Sequence, residues 1–176
     1  MSSQLLKTPG NFKLVLASQS PRRKELLSKL GYQFSQRLKE VEETYPEDLE
    51  PEKVAEYLSN KKAKAYESDM GEDELIITAD TVVILNKVIL AKAKNAAEAK
   101  EMLKQLSGKK HQVVTAVCLQ KKGLSHSFSV TTEVFFKHLS AKEIEFYIAN
   151  FQPFDKAGAY GIQEWIGFIG VEKIKG

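Results

Sequence analysis

Strand-like and helical segments alternate along this chain without a strict strand-helix-strand rhythm. That predicts an α/β fold: a mixed β-sheet flanked by helices. Three observations carry the prediction. The apolar run Lys13–Ala17 is broken by Ser18-Gln19-Ser20 and followed by a capped helix pattern. The run LIITADTVVIL, Leu75–Leu85, is rich in β-branched residues and is turned back by Asn86-Lys87. Two further strand patterns, His111–Gln120 and Ser125–Lys137, are joined by Lys121-Lys122-Gly123. At 176 residues the chain is one domain, or two lobes sharing one sheet. A chain of this size buries about 70% of its unfolded surface, enough for a core without staples.

The composition excludes several classes. Hydrophobic residues at 43% and charged residues at 28% are ordinary for a globular protein. Subtracting 23 acidic from 26 basic residues gives a net charge of +3, too mild to imply nucleic acid or membrane. Cys118 is the single cysteine, so no disulfide forms within the chain, which suits a reducing cytoplasm. It lies in an apolar run and reads as core rather than as a nucleophile. No apolar stretch reaches about 18 residues, and the opening MSSQLLKTPGN lacks the regions of a signal peptide. His111, His126 and His138 are scattered, with no zinc-like spacing.

Each element has a local reason. Pro21 opens the first helix with Ser20 as N-cap and Gly31 as its stop. Leu26, Leu27 and Leu30 share a face that is expected to pack back onto the preceding strand. The helix start carries Arg22 and Arg23. Free backbone N–H groups, the positive dipole end and two guanidinium groups make a recipe for holding phosphate. The competing view is an ordinary surface helix whose arginines oppose the dipole, at about 0.3–1 kcal/mol. A disordered DNA-binding tail is disfavoured by the flanking apolar periodicity. Phe34–Glu43 reads as a strand running into EVEET, followed by a loop to Pro51. Pro51 opens a helix to about Tyr66, with Val54, Leu58 and Ala65 on one face and mostly solvated lysines near its end.

Asp80 stands in the middle of the β-branched strand. A carboxylate there is costly unless it is paired, satisfied by backbone N–H groups or bound to a cation. Asn95 caps a helix that stops at Gly108, and Ser140–Glu143 forms a capping box for a helix to about Asn150. The small residues of FQPFDKAGAYGIQ imply close backbone approach, to another segment or to a ligand. Trp165–Ile174 alternates weakly and reads as a strand.

With these pieces in place, the chain resembles the Maf family of nucleoside triphosphate pyrophosphatases. The matching motifs are LASQSPRRKELLSKLG, ITADTVVIL, AEAKEMLKQLSGKKHQVVTAVCL and DKAGAYGIQ, in family order and from about Phe12 to Ile174. The resemblance implies an elongated mixed sheet of the inosine-triphosphatase-like type, with two lobes around a cleft. It implies a single domain over residues 1–176, with 1–11 an N-terminal extension. The implied activity is hydrolysis between α- and β-phosphates, giving a monophosphate and pyrophosphate. It needs a divalent cation, Mg2+ or Mn2+, and occurs in a usually homodimeric cytoplasmic enzyme without stable nucleic-acid or membrane partners. The family name also records a septum-inhibition phenotype. The chain departs from the family pattern at Ala91-Lys92-Ala93, where Gly-Lys-Pro is usual, and it ends at Gly176, where relatives usually continue.

The resemblance places Ser18, Arg22, Arg23, Lys62 and Lys92 around the phosphates, the last four expected as an exposed clamp, with Lys156 a further candidate unless it pairs with Asp155. Catalysis on a triphosphate is mostly positioning and charge neutralisation, which such a set supplies. Glu43 and Asp80 are the implied metal carboxylates, with Asp155 a weaker third. Magnesium takes one or two protein carboxylates plus water and phosphate oxygens. Asp80 matches the family's general base. Glu42 competes with Glu43, and strand alternation would turn only one inward. Two Maf subgroups differ in their base. Pro21-Arg22-Arg23, Ala79-Asp80-Thr81 and Gly161-Ile162-Gln163 all match the dTTP/UTP type rather than the 7-methyl-GTP type. The Gln163 amide offers both donor and acceptors to uracil or thymine, while Thr81 and Arg22 would shape the same pocket. The alternatives are a 7-methyl-GTP pyrophosphatase or a non-catalytic phosphate- or nucleic-acid-binding regulator of cell division. A plain scaffold fits poorly with polar residues inside apolar strands.

Overall fold

A computed structural model describes residues 11–176 of the chain. The expected N-terminal extension therefore lies outside the described residues except for Asn11. Among the described residues, seven strands form one sheet in the order β2-β1-β3-β5-β6-β7, with β4 paired to β3. The strands are β1 Lys13–Leu16, β2 Phe34–Gln36, β3 Glu74–Leu85, β4 Val88–Leu90, β5 Lys110–Lys121, β6 Leu124–Phe136 and β7 Val171–Lys175. The helices are α1 Pro21–Lys29, α2 Pro51–Lys64, α3 Ala96–Leu106, α4 Ala141–Phe151 and α5 Trp165–Gly170. β1 pairs in parallel with β2 and β3, while β3–β4 and β6–β7 are antiparallel, so the sheet is mixed as expected.

The chain forms two compact units. The first holds residues up to Leu49 together with Lys53–Asp80 and Ala116–Ser129. Its apolar centre gathers Val15, Tyr66, Met70 and Ile76. The buried Thr78 hydroxyl donates to the Ser59 carbonyl at 2.7 Å, tying β3 to α2. The second holds Glu50–Glu52, Thr81–Thr115 and Val130–Gly176. Its larger core includes Val83, Leu103, Leu106, Phe136, Tyr147 and Ile166.

Local chemistry sets the boundaries. Asn86 and Lys87 both take positive φ, 50° and 65°, which is the hairpin geometry their sequence suggests. Ser140 and Glu143 complete the capping box of α4. Gly158 has φ 67°, and a Cβ there would lie 3.0 Å from Val83, so the DKAG glycine serves a close approach to β3.

Three expectations are corrected. α1 buries none of its residues, and Leu26 and Leu30 are 54% and 57% exposed. Val15 of β1 packs instead with Tyr66 and Met70, beyond the end of α2. β2 stops at Gln36 rather than reaching Glu43. There the Tyr66 hydroxyl donates to the Arg37 carbonyl at 2.9 Å and Arg37 pairs with Glu74, so side chains replace the ladder. Trp165–Ile174 is not one strand. Its first part is α5, begun when Gly167 N–H turns back to the Glu164 carbonyl at 2.9 Å, and only then does β7 form.

Candidate active site

The Ser20 cap at the β1–α1 joint forms as its sequence suggests. Ser20 caps α1 by accepting from the Arg23 N–H at 3.5 Å. Ser18 is 7% exposed, and its hydroxyl accepts from Ser20 N–H at 3.2 Å and from Arg23 Nη1 at 3.4 Å. Arg23 Nη1 also donates to the Ala79 carbonyl at 2.7 Å, one residue before Asp80. The guanidinium is therefore fixed to both the turn and β3. Arg22 is half-buried on the same helical turn.

Asp80 is 8% exposed, and its Oδ2 accepts from Lys62 Nζ. The same Nζ donates to Glu43 Oε1 at 2.7 Å. The sequence left several partners open for Asp80, and the structure supplies an ammonium from α2. Glu43 reaches it from a loop, not from a strand, so the alternation argument against Glu42 does not apply. Lys61 fixes that loop, donating to the Thr44 carbonyl at 3.0 Å and the Thr44 hydroxyl at 2.8 Å. This is a role that reading the α2 lysines as solvated misses. Burial pushes the Arg23 pKa below its ordinary value. The Asp80 charge opposes that shift, Arg22 adds to it and Glu43 opposes it. All three groups therefore act on Arg23, and the first unit gathers Ser18, Arg22, Arg23, Glu43, Lys62 and Asp80.

The remaining predicted residues belong to the second unit. The Thr81 hydroxyl pairs with that of Thr115 at 3.1 Å. Lys92 is exposed, and its backbone bridges to Ala157 of the DKAG segment. Gln163 is exposed in the turn before α5. Lys156 does not join the clamp as a free cation. It is 8% exposed and its Nζ pairs with Asp155 at 2.7 Å and Glu164 at 3.0 Å. Uniform exposure of the clamp is also corrected. Lys92 is open, but the Lys62 side chain is only 19% exposed because two carboxylates draw it inward.

Among the described residues no group of three or more His, Cys, Asp or Glu side chains gathers as a metal site. Glu43 and Asp80 nevertheless converge on one ammonium group. A two-carboxylate set around a cation position has the donor chemistry of a magnesium site completed by phosphate and water. No helix among the described residues is long and apolar enough to cross a membrane.

Residues 13–176 match the family described as Maf-like protein. The chain is 53% identical over 173 residues to a dTTP/UTP pyrophosphatase of Phocaeicola vulgatus, covering 98% of this chain and 90% of that one. It is 51% identical to a dTTP/UTP pyrophosphatase of Bacteroides thetaiotaomicron, covering 94% and 86%. A third relative, from Porphyromonas gingivalis and of the same description, is 50% identical, covering 94% and 84%. In fold the chain is similar to the Staphylococcus aureus Ham1 protein, with TM-score 0.52 and 15% identity over 70% of this chain and 71% of that one.

Proposed function

The chain belongs to the Maf family, and on that premise we propose that it is a metal-dependent pyrophosphatase converting dTTP and UTP to their monophosphates and pyrophosphate. The observation that carries the reading is the convergence of Asp80 and Glu43 on Lys62, beside Arg23 and the capped start of α1. Relatives at 50–53% identity with that activity in their names support the substrate class.

In this reading the two units act as a single Maf-like domain. The N-terminus of α1, Ser18, Arg22 and Arg23 receive phosphate oxygens, with Lys62 and Lys92 as point charges. Asp80 holds the attacking water and takes its proton as the water oxygen bonds to phosphorus and the α–β bridging P–O bond breaks. Pyrophosphate leaves with the bridging oxygen. Lys62, whose Nζ donates to Asp80 Oδ2, keeps that carboxylate aimed. A divalent cation held by Glu43 and Asp80 would polarise the phosphate and lower the pKa of bound water. Gln163 reads the pyrimidine edge, and Thr81 and Arg22 are the further candidate contacts to the substrate. The reading extends to a cytoplasmic homodimer without a stable nucleic-acid partner, which the net charge of +3 and the lone cysteine suit.

A pyrophosphate-release assay with magnesium tests the activity. No turnover of any common triphosphate would refute it. The ratio of kcat/KM for UTP over 7-methyl-GTP tests the base, and it is expected above one. A ratio below one assigns the protein to the other subgroup.

A further inference from the structure

Gln163 is exposed, yet the backbone on both sides of it is tightly held. Glu164 N–H donates to the Gly161 carbonyl at 3.0 Å, and Gly161 N–H donates to the Tyr147 hydroxyl at 3.0 Å. A Cβ on Gly161 would lie 2.8 Å from the Glu164 carboxyl carbon, and one on Gly167 would overlap the Ile162 carbonyl. A larger residue at Gly167 would have to move the Ile162 backbone, and one at Gly161 would have to displace the Glu164 side chain.

The hub of this hold is Glu164. It is the N-cap of α5, but its side chain makes no capping bond to that helix. Instead Oε2 accepts from the Tyr147 hydroxyl of α4, and Oε1 accepts from Lys156 Nζ at 3.0 Å. Tyr147 is fully buried, and Lys156 is 8% exposed. Burial and then the hydrogen bond to Glu164 push the Tyr147 pKa up, so its hydroxyl remains a donor at working pH. Lys156 precedes Ala157, whose backbone bridges Lys92, and Gly158 N–H donates to the Leu90 carbonyl at 3.0 Å. A carboxylate diverted from its own helix start to two buried partners, one residue after an exposed glutamine, is more than that short helix needs.

We propose that Tyr147, Glu164 and Lys156 are positioning residues for base selection, holding the Gly161–Gln163 turn so that the Gln163 amide meets the pyrimidine edge in one orientation. They touch no substrate themselves. The inference rests on the pyrimidine reading of Gln163. Its physical basis is that a hydrogen-bonding site discriminates only while its donors and acceptors stay in place, and a displacement near 1 Å costs on the order of 100-fold.

The test combines hydrogen exchange with a kinetic cycle on the full chain. Tyr147→Phe removes the hydroxyl that serves both Gly161 and Glu164. Glu164→Gln keeps an acceptor for Tyr147 and serves if the first variant folds poorly. The Gly161 amide should exchange at least about tenfold faster in Tyr147→Phe, with Glu164→Gln intermediate. The UTP-to-GTP ratio of kcat/KM should fall roughly tenfold in Tyr147→Phe, GTP turnover changing by less than about threefold. In a Gln163→Ala background the same substitution should leave the ratio unmoved, because the residue acts through Gln163. Equal losses on UTP and GTP, additive effects in the double variant, or unchanged Gly161 exchange would each overturn the proposal. A wild-type ratio at or below one removes the pyrimidine reading and this proposal with it, and is recognised before any substitution is made.

Discussion

Replacing Asp80 with Asn separates the chemical role of this carboxylate from its structural one. The residue is 8% exposed and its carboxylate is bonded to Lys62, whose other acceptor is Glu43 at 2.7 Å. Breaking a buried ion pair outright costs about 3–5 kcal/mol. Two features reduce that here. Asn keeps an oxygen that accepts from Lys62, and Glu43 keeps the ammonium paired. What is lost is the charge assistance of one hydrogen bond, about 1–2 kcal/mol. For a chain of this size that is a midpoint shift of roughly 2–8 °C. The catalytic consequence is much larger. Without a base to take the water proton, kcat should fall on the order of 10²–10⁴-fold. The assay is pyrophosphate release at saturating dTTP and magnesium, alongside a thermal melt. A variant that melts a few degrees lower yet retains near-full kcat would show that Asp80 supports the fold and that the base lies elsewhere.

Further outcomes follow from the same geometry. Arg23→Ala should weaken triphosphate binding and also lower the melting midpoint, because Nη1 ties Ser18 to the Ala79 carbonyl. Lys92→Ala should weaken binding with a stability change within about 0.5 kcal/mol, since its side chain is exposed; isothermal titration with a non-hydrolysable UTP analogue and a melt distinguish the two. His111 is 2% exposed and burial pushes its pKa from 6.5 down to about 4. Above pH 6.5 the ring is neutral in both states. As pH falls from 6.5 to 4 only the unfolded chain gains the proton, so stability drops by about 3 kcal/mol across that window. Denaturant melts should show this loss, and His111→Gln should flatten it. Gly158→Ala should destabilise by about 1–3 kcal/mol, because φ is 67° and Val83 meets the new methyl, with a lowered denaturation midpoint as the readout.

The sequence by itself determined what depends on short-range chemistry. Turn and cap residues set their own geometry within a few residues, so the Asn86-Lys87 hairpin, the Ser20 and Asn95 caps and the Ser140–Glu143 box were legible, as was the mixed sheet their order implies. The roster of candidate site residues came from the resemblance to the Maf family, which the ordered motifs carry. Only tertiary structure decided which groups meet. Periodicity places Leu26 and Leu30 on one face but cannot show whether anything covers it, and the segment after α2 had already covered β1. The weak alternation of Trp165–Ile174 could not separate a helical turn from a strand, because the Gly167 bond to the Glu164 carbonyl that begins α5 appears only once the loop closes. Lys62 reads as one of several lysines on α2, and Glu43 as one of two adjacent acids. Their pairing with each other and with Asp80 spans 19 and 18 residues, and the fold alone sets such separations. Lys156 shows the limit most clearly. A lysine beside an aspartate has the same sequence whether it faces phosphate or a second carboxylate, and the energy of desolvating its charge, settled by the position of Glu164, is what selects the carboxylate.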